Sequence, residues 1–330
     1  MQALYAFLFV VLLMLFAFFG IWGLGWENLF AIIIPYAAVA IFVFGIIYRV
    51  IKWARAPVPF HIPTVCGQQI SLPWIKSDKI ESPHSTLGVV TRMAMEVFLF
   101  RSLFRNEKVQ IENKQKLSFK GNRILWLGGL TFHWSLLFIV FRHTRLFTQP
   151  VPGLVNFVRD MDSILQGLVP IFYITDIAIL IALTYLFIRR VIYPQIRYIS
   201  LPSDFFALFL LLGVVIFGLL MRFYYPVDIE GIKELAMGAL TFNPVIPEGV
   251  GLVFYIHIFL VSVLVAYFPF SKLMHAAGIF LSPARNLKNN SRQKRHVNPW
   301  DYPVKVHTYE EYEDEFREAM RGVGLPLEKE

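Results

Sequence analysis

The chain alternates between long uncharged runs and stretches dense in charge and proline. Residues 4–25 carry no charged side chain, and a bilayer's hydrocarbon layer takes about 20 apolar residues to cross. No positive stretch precedes this run and no small-x-small cleavage site follows it, so it reads as an uncleaved anchor rather than a signal peptide. A second uncharged run, 28–48, ends at Arg49 and Lys52. Residues 51–120 are rich in charge and punctuated by Pro57, Pro59, Pro63, Pro73 and Pro83. Within them, 88–104 is apolar but interrupted by Arg92, Glu96 and Arg101, which predicts an interfacial or partner-binding helix. Apolar runs resume at 124–141, 168–188, 205–221 and 249–271, the last predicted to continue through Lys272 to about Leu281.

The pattern predicts an all-α integral membrane bundle of six transmembrane helices. Two N-terminal spans occupy 1–50, a cytoplasmic loop with its amphipathic helix 51–120, a four-helix core 121–282, and a cytoplasmic tail 283–330. No internal repeat points to a transporter built of inverted halves.

Composition sharpens this. Apolar residues make up 56% and charged residues 16%, where an ordinary globular chain has about 25% charged. That excludes a disordered chain and argues against a water-soluble enzyme. The single cysteine, Cys66, excludes a disulfide framework, a four-cysteine zinc site, an iron–sulfur cluster held by this chain alone, and covalently attached haem. The net charge of +8 gains meaning from position. With the N-terminus inside, 26 Lys or Arg fall on the inner side and only Arg142, Arg145, Arg159, Arg222 and Lys233 on the outer. Inward loops carry the positive excess, so both termini are expected in the cytoplasm. The basic residues follow the membrane's inner face, where Arg292, Lys294 and Arg295 would meet anionic lipid; nucleic acid is not an expected partner.

Four of the eight histidines, His61, His84, His296 and His307, sit in polar segments and read as surface residues. His133, His143, His257 and His275 sit in or at the ends of two apolar helices, where an ionisable side chain is costly and therefore a functional candidate. His257 and His275 are eighteen residues apart, so on one continuous helix they would share a face. His133 and His143 are ten apart and fall about 80° from a common face. By the topology, His133 and His275 lie toward the inner side and His143 and His257 toward the outer. Two such pairs are what two bis-histidine haems stacked across a bilayer require. The rises do not match, since eighteen helical residues span about 27 Å and ten about 15 Å; a bend at Pro269 and helix tilt are the expected reconciliation. A haem-free transporter using the histidines as a proton path is the competing class.

The segments GLTFHWSLLFIVFRHTRLF and FYIHIFLVSVLVAYFPFSKLMHAAGIF resemble the two haem-bearing helices of the respiratory nitrate reductase gamma-subunit family, which spaces its ligand pairs in the same way. The resemblance covers roughly 120–285. It implies a dihaem cytochrome b with His133 and His275 on an inner haem b, and His143 and His257 on an outer haem b beside a quinol site. The tail beginning SPARNLKNNSRQKRHVNPWDYPV is similar to that of the membrane cytochrome b (DsrM-type) family of the Dsr complex of sulfur-metabolising prokaryotes. That similarity implies menaquinone as the redox substrate and a cytoplasmic iron–sulfur partner resembling the catalytic subunit of heterodisulfide reductase. It also implies the other Dsr complex subunits as partners and, indirectly, DsrC. On this resemblance the chain is the quinone-reactive subunit of an oxidoreductase complex in sulfite reduction. Cytochrome b subunits of a nitrate reductase or a heterodisulfide reductase are the alternatives.

Haem propionates need cationic partners. Arg142, Arg145 and Arg222 are the outer candidates, Arg123 and Lys272 the inner ones, each with snorkelling at a helix end as its plainer reading. For the quinone, the outer loop offers Arg159, Asp160 and Asp162, and Asp176 is the acidic residue inside a span, either a proton relay or a hydrogen-bonded structural group. Thr308 with Glu311 predicts a capping box opening an acidic helix that docks a redox partner.

Overall fold

The computed structural model describes residues 1–56, 67–105, 107–112, 116–164, 171–294 and 306–329. His61, Cys66, Arg295 and His296 lie outside the described residues. The chain is mostly helical. Five described helices are long and apolar enough to cross a membrane: Gln2–Trp22, Leu29–Ala54, Arg123–Phe147, Pro202–Phe223 and Leu252–Phe270. The first is α1. The second opens with a π turn, Leu29–Ile33, and becomes the regular helix α2 at Ile34–Ala54. Pro35 in its first turn has no amide to close the preceding α-helical ring, so the turn there widens.

The polar interval holds α3 (Thr86–Leu99), whose N-terminus is capped by the Ser85 side chain accepting from the Gly88 amide. The expected helix over 88–104 is broken at Phe100, which is left-handed (φ 49°, ψ 47°), and only a turn, Arg101–Phe104, follows. An antiparallel hairpin of β1 (Glu107–Glu112) and β2 (Lys116–Gly121), absent from the sequence expectation, leads into α4 (Arg123–His143). Then come α5 (Gly153–Asp162) and α6 (Ile174–Ile192). Of the apolar run expected from 168, residues 168–170 lie outside the described residues; Phe172 and Tyr173 pair with Ile164 and Ser163 in a short ladder, and helix opens at Ile174. With 19 residues and bearing Asp176, Arg189 and Arg190, α6 is not among the five. The chain continues through α7 (Pro202–Phe223), α8 (Ile229–Leu240) and α9 (Leu252–Tyr267). Finally α10 (Tyr309–Gly322) opens on the expected capping box, Thr308 Oγ1 accepting from the Glu311 amide at 3.2 Å.

Continuous helix from 249 to about 281 is not what forms. After α9 a 3-10 turn, Phe268–Phe270, contains Pro269; Ser271 is extended, its hydroxyl oxygen accepting from the Leu273 amide; and short turns carry Lys272–Met274 and His275–Gly278. Proline cannot supply the amide a continuing helix needs. His275 is thereby freed from the straight-helix rise that separated it from His257.

Two clusters form the interior and α7 belongs to both. One joins α1, the π turn before α2, α7, α8 and α9 through Val10, Ala17, Phe30, Leu210, Leu235 and Leu260. The other joins α4, α6 and α7 through Phe132, Ile179, Leu183 and Leu211. Close approaches use small residues: a Cβ at Gly128 would lie 2.6 Å from the Tyr185 ring, and one at Gly45 2.7 Å from Pro269. Meanwhile α4 and α9, which carry three of the four candidate histidines, make no extended contact with each other. Outward-facing Phe7, Leu12, Phe44, Val140 and Ile181 are exposed, as lipid-facing side chains are.

At the end of the bundle where Met1 lies, two segments that the sequence divides into separate regions fold together. The Asn289 amide donates to Pro83 O at 2.8 Å, and Arg92, Glu96, Ser82 and Asn289 are buried between 67–105 and 283–294.

Candidate functional site

All four histidines aim Nδ1 at a backbone carbonyl. His133 reaches Gly129 O at 2.7 Å, His143 Ile139 O at 2.7 Å, His257 Val214 O at 3.0 Å and His275 Lys272 O at 2.6 Å. A carbonyl only accepts, so Nδ1 carries the proton in each ring and Nε2 keeps its lone pair. This is the tautomer a metal-bound histidine uses, its orientation fixed by the outer hydrogen bond. His133 and His143 use the carbonyl one turn back on α4. His257 instead crosses to α7, where Gly218, one turn beyond Val214, leaves the approach open; a Cβ there would sit 3.4 Å from His257 Cε1.

The structure brings the rings of one expected pair together. His133 and His275 have ring centres 5.9 Å apart with planes at 80°. An imidazole nitrogen binds a metal at about 2 Å and its ring centre lies roughly 1 Å further back, so two rings across one iron stand about 6 Å apart. The observed spacing fits one iron between them. Among the described residues, no three His, Cys, Asp or Glu side chains converge as they would on a bare ion; a haem iron takes only two ligands from the protein.

Beside His143, four of the expected propionate and quinone residues, Arg142, Arg222, Asp162 and Asp176, form one network. Arg142, buried, pairs with Asp162 (Nε to Oδ2, 3.2 Å) and Asp176 (Nη2 to Oδ1, 2.7 Å). Arg222 pairs with Asp176 Oδ2 at 3.2 Å. Asp162 also accepts from the Thr175 amide (2.9 Å) and hydroxyl (2.6 Å). The Tyr173 ring lies under both guanidiniums, 3.6 Å from Arg142 Cζ and 4.4 Å from Arg222 Cζ. Two carboxylates thus balance two guanidiniums, Arg142 buried and Arg222 partly exposed at the edge of the cluster. Two nitrogens of Arg142, Nη1 and Nε, are buried with no hydrogen-bond partner among the described residues; Nε keeps its ion-pair contact with Asp162, and Nη1 is left over. Half-buried Arg145, one turn on, has no ion pair or hydrogen bond among them either. A carboxylate-bearing group such as a haem propionate fits both. Arg159 and Asp160 pair with each other at 2.9 Å on the exposed end of α5.

At the His275 end, Lys272 Nζ lies 2.7 Å from Asp204 Oδ1 and Arg190 Nη1 3.5 Å from its Oδ2. Arg123 sits over the Phe104 ring at 5.7 Å. Sequence reasoning missed Tyr173, Asp204, Gly218 and the Phe100 contact described below. Of these only Asp204 left a trace, as a lone acid opening an apolar run.

Residues 86–293 match the family described as the nitrate reductase gamma subunit. A protein of Archaeoglobus fulgidus named Hdr-like menaquinol oxidoreductase cytochrome b-like subunit is 45% identical over 280 residues, 83% of each chain. Its counterpart of the same name in Archaeoglobus profundus is 44% identical over 275 residues, 81% of each chain.

Proposed function

The chain belongs to the nitrate reductase gamma-subunit family, and from that premise we propose that it is a dihaem b subunit passing electrons between menaquinol and a cytoplasmic iron–sulfur protein. The observation that carries this is the His133–His275 pair, whose ring centres stand 5.9 Å apart with both Nδ1 atoms turned to backbone carbonyls; His143 and His257, whose Nδ1 atoms are held in the same way, are the candidate second pair. Haems held there would supply one-electron transfer along the bundle. The protein's own part is to fix the tautomers through four carbonyls. On this reading α6 is the sixth span and both termini face the cytoplasm, in keeping with the basic excess at that end.

Arg145 and the spare Nη1 of Arg142 hold the outer propionates, with Asp162 and Asp176 as the buried counter-charges that keep Arg142 and Arg222 in place. Arg123 and Lys272 serve the inner haem. Arg159 and Asp160, solvent-exposed on the same outer side, are the polar groups for a quinol oxygen and its proton. The acidic α10 offers a docking face to the cytoplasmic partner.

The relatives' name, Hdr-like, favours a heterodisulfide-reductase-like partner over a nitrate reductase. The tail's likeness to Dsr-complex subunits favours a place in dissimilatory sulfur metabolism. Two measurements test this. Reduced protein purified from its native membrane should show a b-type absorption band with two haems per chain, and His257→Ala should remove the outer haem and spare the inner one. A haem content near zero in folded protein would refute the reading. Gentle co-purification should retain an iron–sulfur subunit; recovery of a molybdenum-containing nitrate reductase instead would overturn the partner.

A further inference from the structure

The interfacial helix α3 touches both halves of the inner histidine pair's surroundings. Its C-terminal carbonyls lack amide donors, as helix ends do, and two indoles of α4 supply them: Trp134 Nε1 donates to Phe98 O at 3.0 Å and Trp126 Nε1 to Leu99 O at 2.7 Å. Immediately after, the left-handed Phe100 turns the chain back so that its ring meets the His133 ring edge-on, centres 4.8 Å apart and planes at 85°. A bulky side chain rarely takes that backbone conformation, which glycine would adopt freely; the phenyl ring is kept there by its seat between α3 and His133.

Further back along α3, Arg92 and Glu96 grip the segment that follows His275. Arg92, 2% exposed, donates to the carbonyls of Ala284 (3.3 Å), Arg285 and Leu287 (3.5 Å), and to Glu81 O at 3.4 Å. A guanidinium's fixed fork suits such a cluster of carbonyls. One turn on, Glu96 pairs with Arg285 Nη1 at 3.2 Å and accepts from the Ser102 amide at 3.2 Å. His133 and His275 sit on segments far apart in sequence, and α3 is fastened to the first and to the continuation of the second.

We propose that α3 is a clasp that sets the separation and ring orientation of His133 and His275, with Phe100 and Arg92 as its positioning residues. The proposal rests on the haem reading above. A load on α3, such as a subunit docking at this end, then acts directly on the inner haem's axial geometry and leaves the outer haem alone.

The test uses the full chain with its haems bound, in detergent: redox titration and low-temperature EPR of the ferric low-spin signals for Phe100→Ala, Phe100→Tyr and Arg92→Gln. The inner signal is assigned from the His257→Ala variant. Phe100→Ala and Arg92→Gln should shift the inner haem's potential and signal beyond replicate scatter with the outer haem unmoved, while Phe100→Tyr, which keeps the ring, should match wild type. If Phe100→Ala does not fold, Phe100→Leu and Arg92→Gln carry the same comparison. Folded variants whose inner haem is unchanged, or whose two haems move alike, would overturn the clasp. Absence of haem from the wild-type chain would instead defeat the reading beneath it.

Discussion

Asp162 offers the sharpest energetic test of the outer ion network. Its carboxylate is 1% exposed and has three partners: the Thr175 amide, the Thr175 hydroxyl and Arg142 Nε. Asp162→Asn keeps the shape and one carbonyl acceptor but removes the charge. Arg142 and Arg222 would then share Asp176 alone, leaving one uncompensated positive charge in a buried cluster. Removing one partner of a buried ion pair costs about 3–5 kcal/mol. The exposed Arg159–Asp160 pair, two residues away, provides the control, since such pairs are worth roughly 0–1 kcal/mol. Equilibrium unfolding in mixed micelles should therefore show Asp162→Asn losing several times more stability than Asp160→Asn. Pairing Asp162→Asn with Arg142→Gln should recover part of the loss, because the remaining Asp176 and Arg222 balance each other. Equal, small effects from Asp162→Asn and Asp160→Asn would refute the argument that the cluster is electrostatically closed.

Three further outcomes follow from particular contacts. Gly45→Ala places a methyl 2.7 Å from Pro269, so it should push on the helix break before His275, cost about 1–3 kcal/mol as overpacking does, and loosen the inner haem, read as haem content per chain. Gly128→Ala meets the Tyr185 ring at 2.6 Å and should separate α4 from α6 at a similar cost of about 1–3 kcal/mol, visible as a lowered unfolding midpoint. Asp78 accepts from the Glu81 and Ile80 amides, and these bonds hold its carboxyl below the usual value of 3.8. Because the folded value is the lower one, its stabilisation is present above pH 3.8 and is lost as pH falls through the folded value. Asp78→Asn should remove that acid-side dependence from the folding of the 67–105 segment, followed by Trp74 fluorescence.

The apolar runs announce the spanning helices because crossing hydrocarbon is a local demand, met by about 20 consecutive apolar residues wherever they occur. The histidines were legible for the same reason, since a costly group in an apolar run stands out. Capping boxes such as Thr308–Glu311 are equally local. The break at Phe268–Ser271 was only half legible: Pro269 marks a bend, but the extended Ser271 and its cap are a matter of how the chain must turn to bring His275 toward His133.

The network at Arg142 joins residues from α4, α5, α6 and α7, and its partners are chosen by packing rather than spacing. Arg92 and Glu96 were visible as interruptions of an apolar run, yet their partners lie near 285, almost two hundred positions away. By itself the sequence determined what is dictated residue by residue by solvent: which stretches are apolar, which end is basic, and which ionisable groups are out of place. Tertiary structure alone decided which of those groups meet. A buried charge or lone pair takes its partner from the nearest surface that can satisfy it, and nearness is set only once the helices have packed.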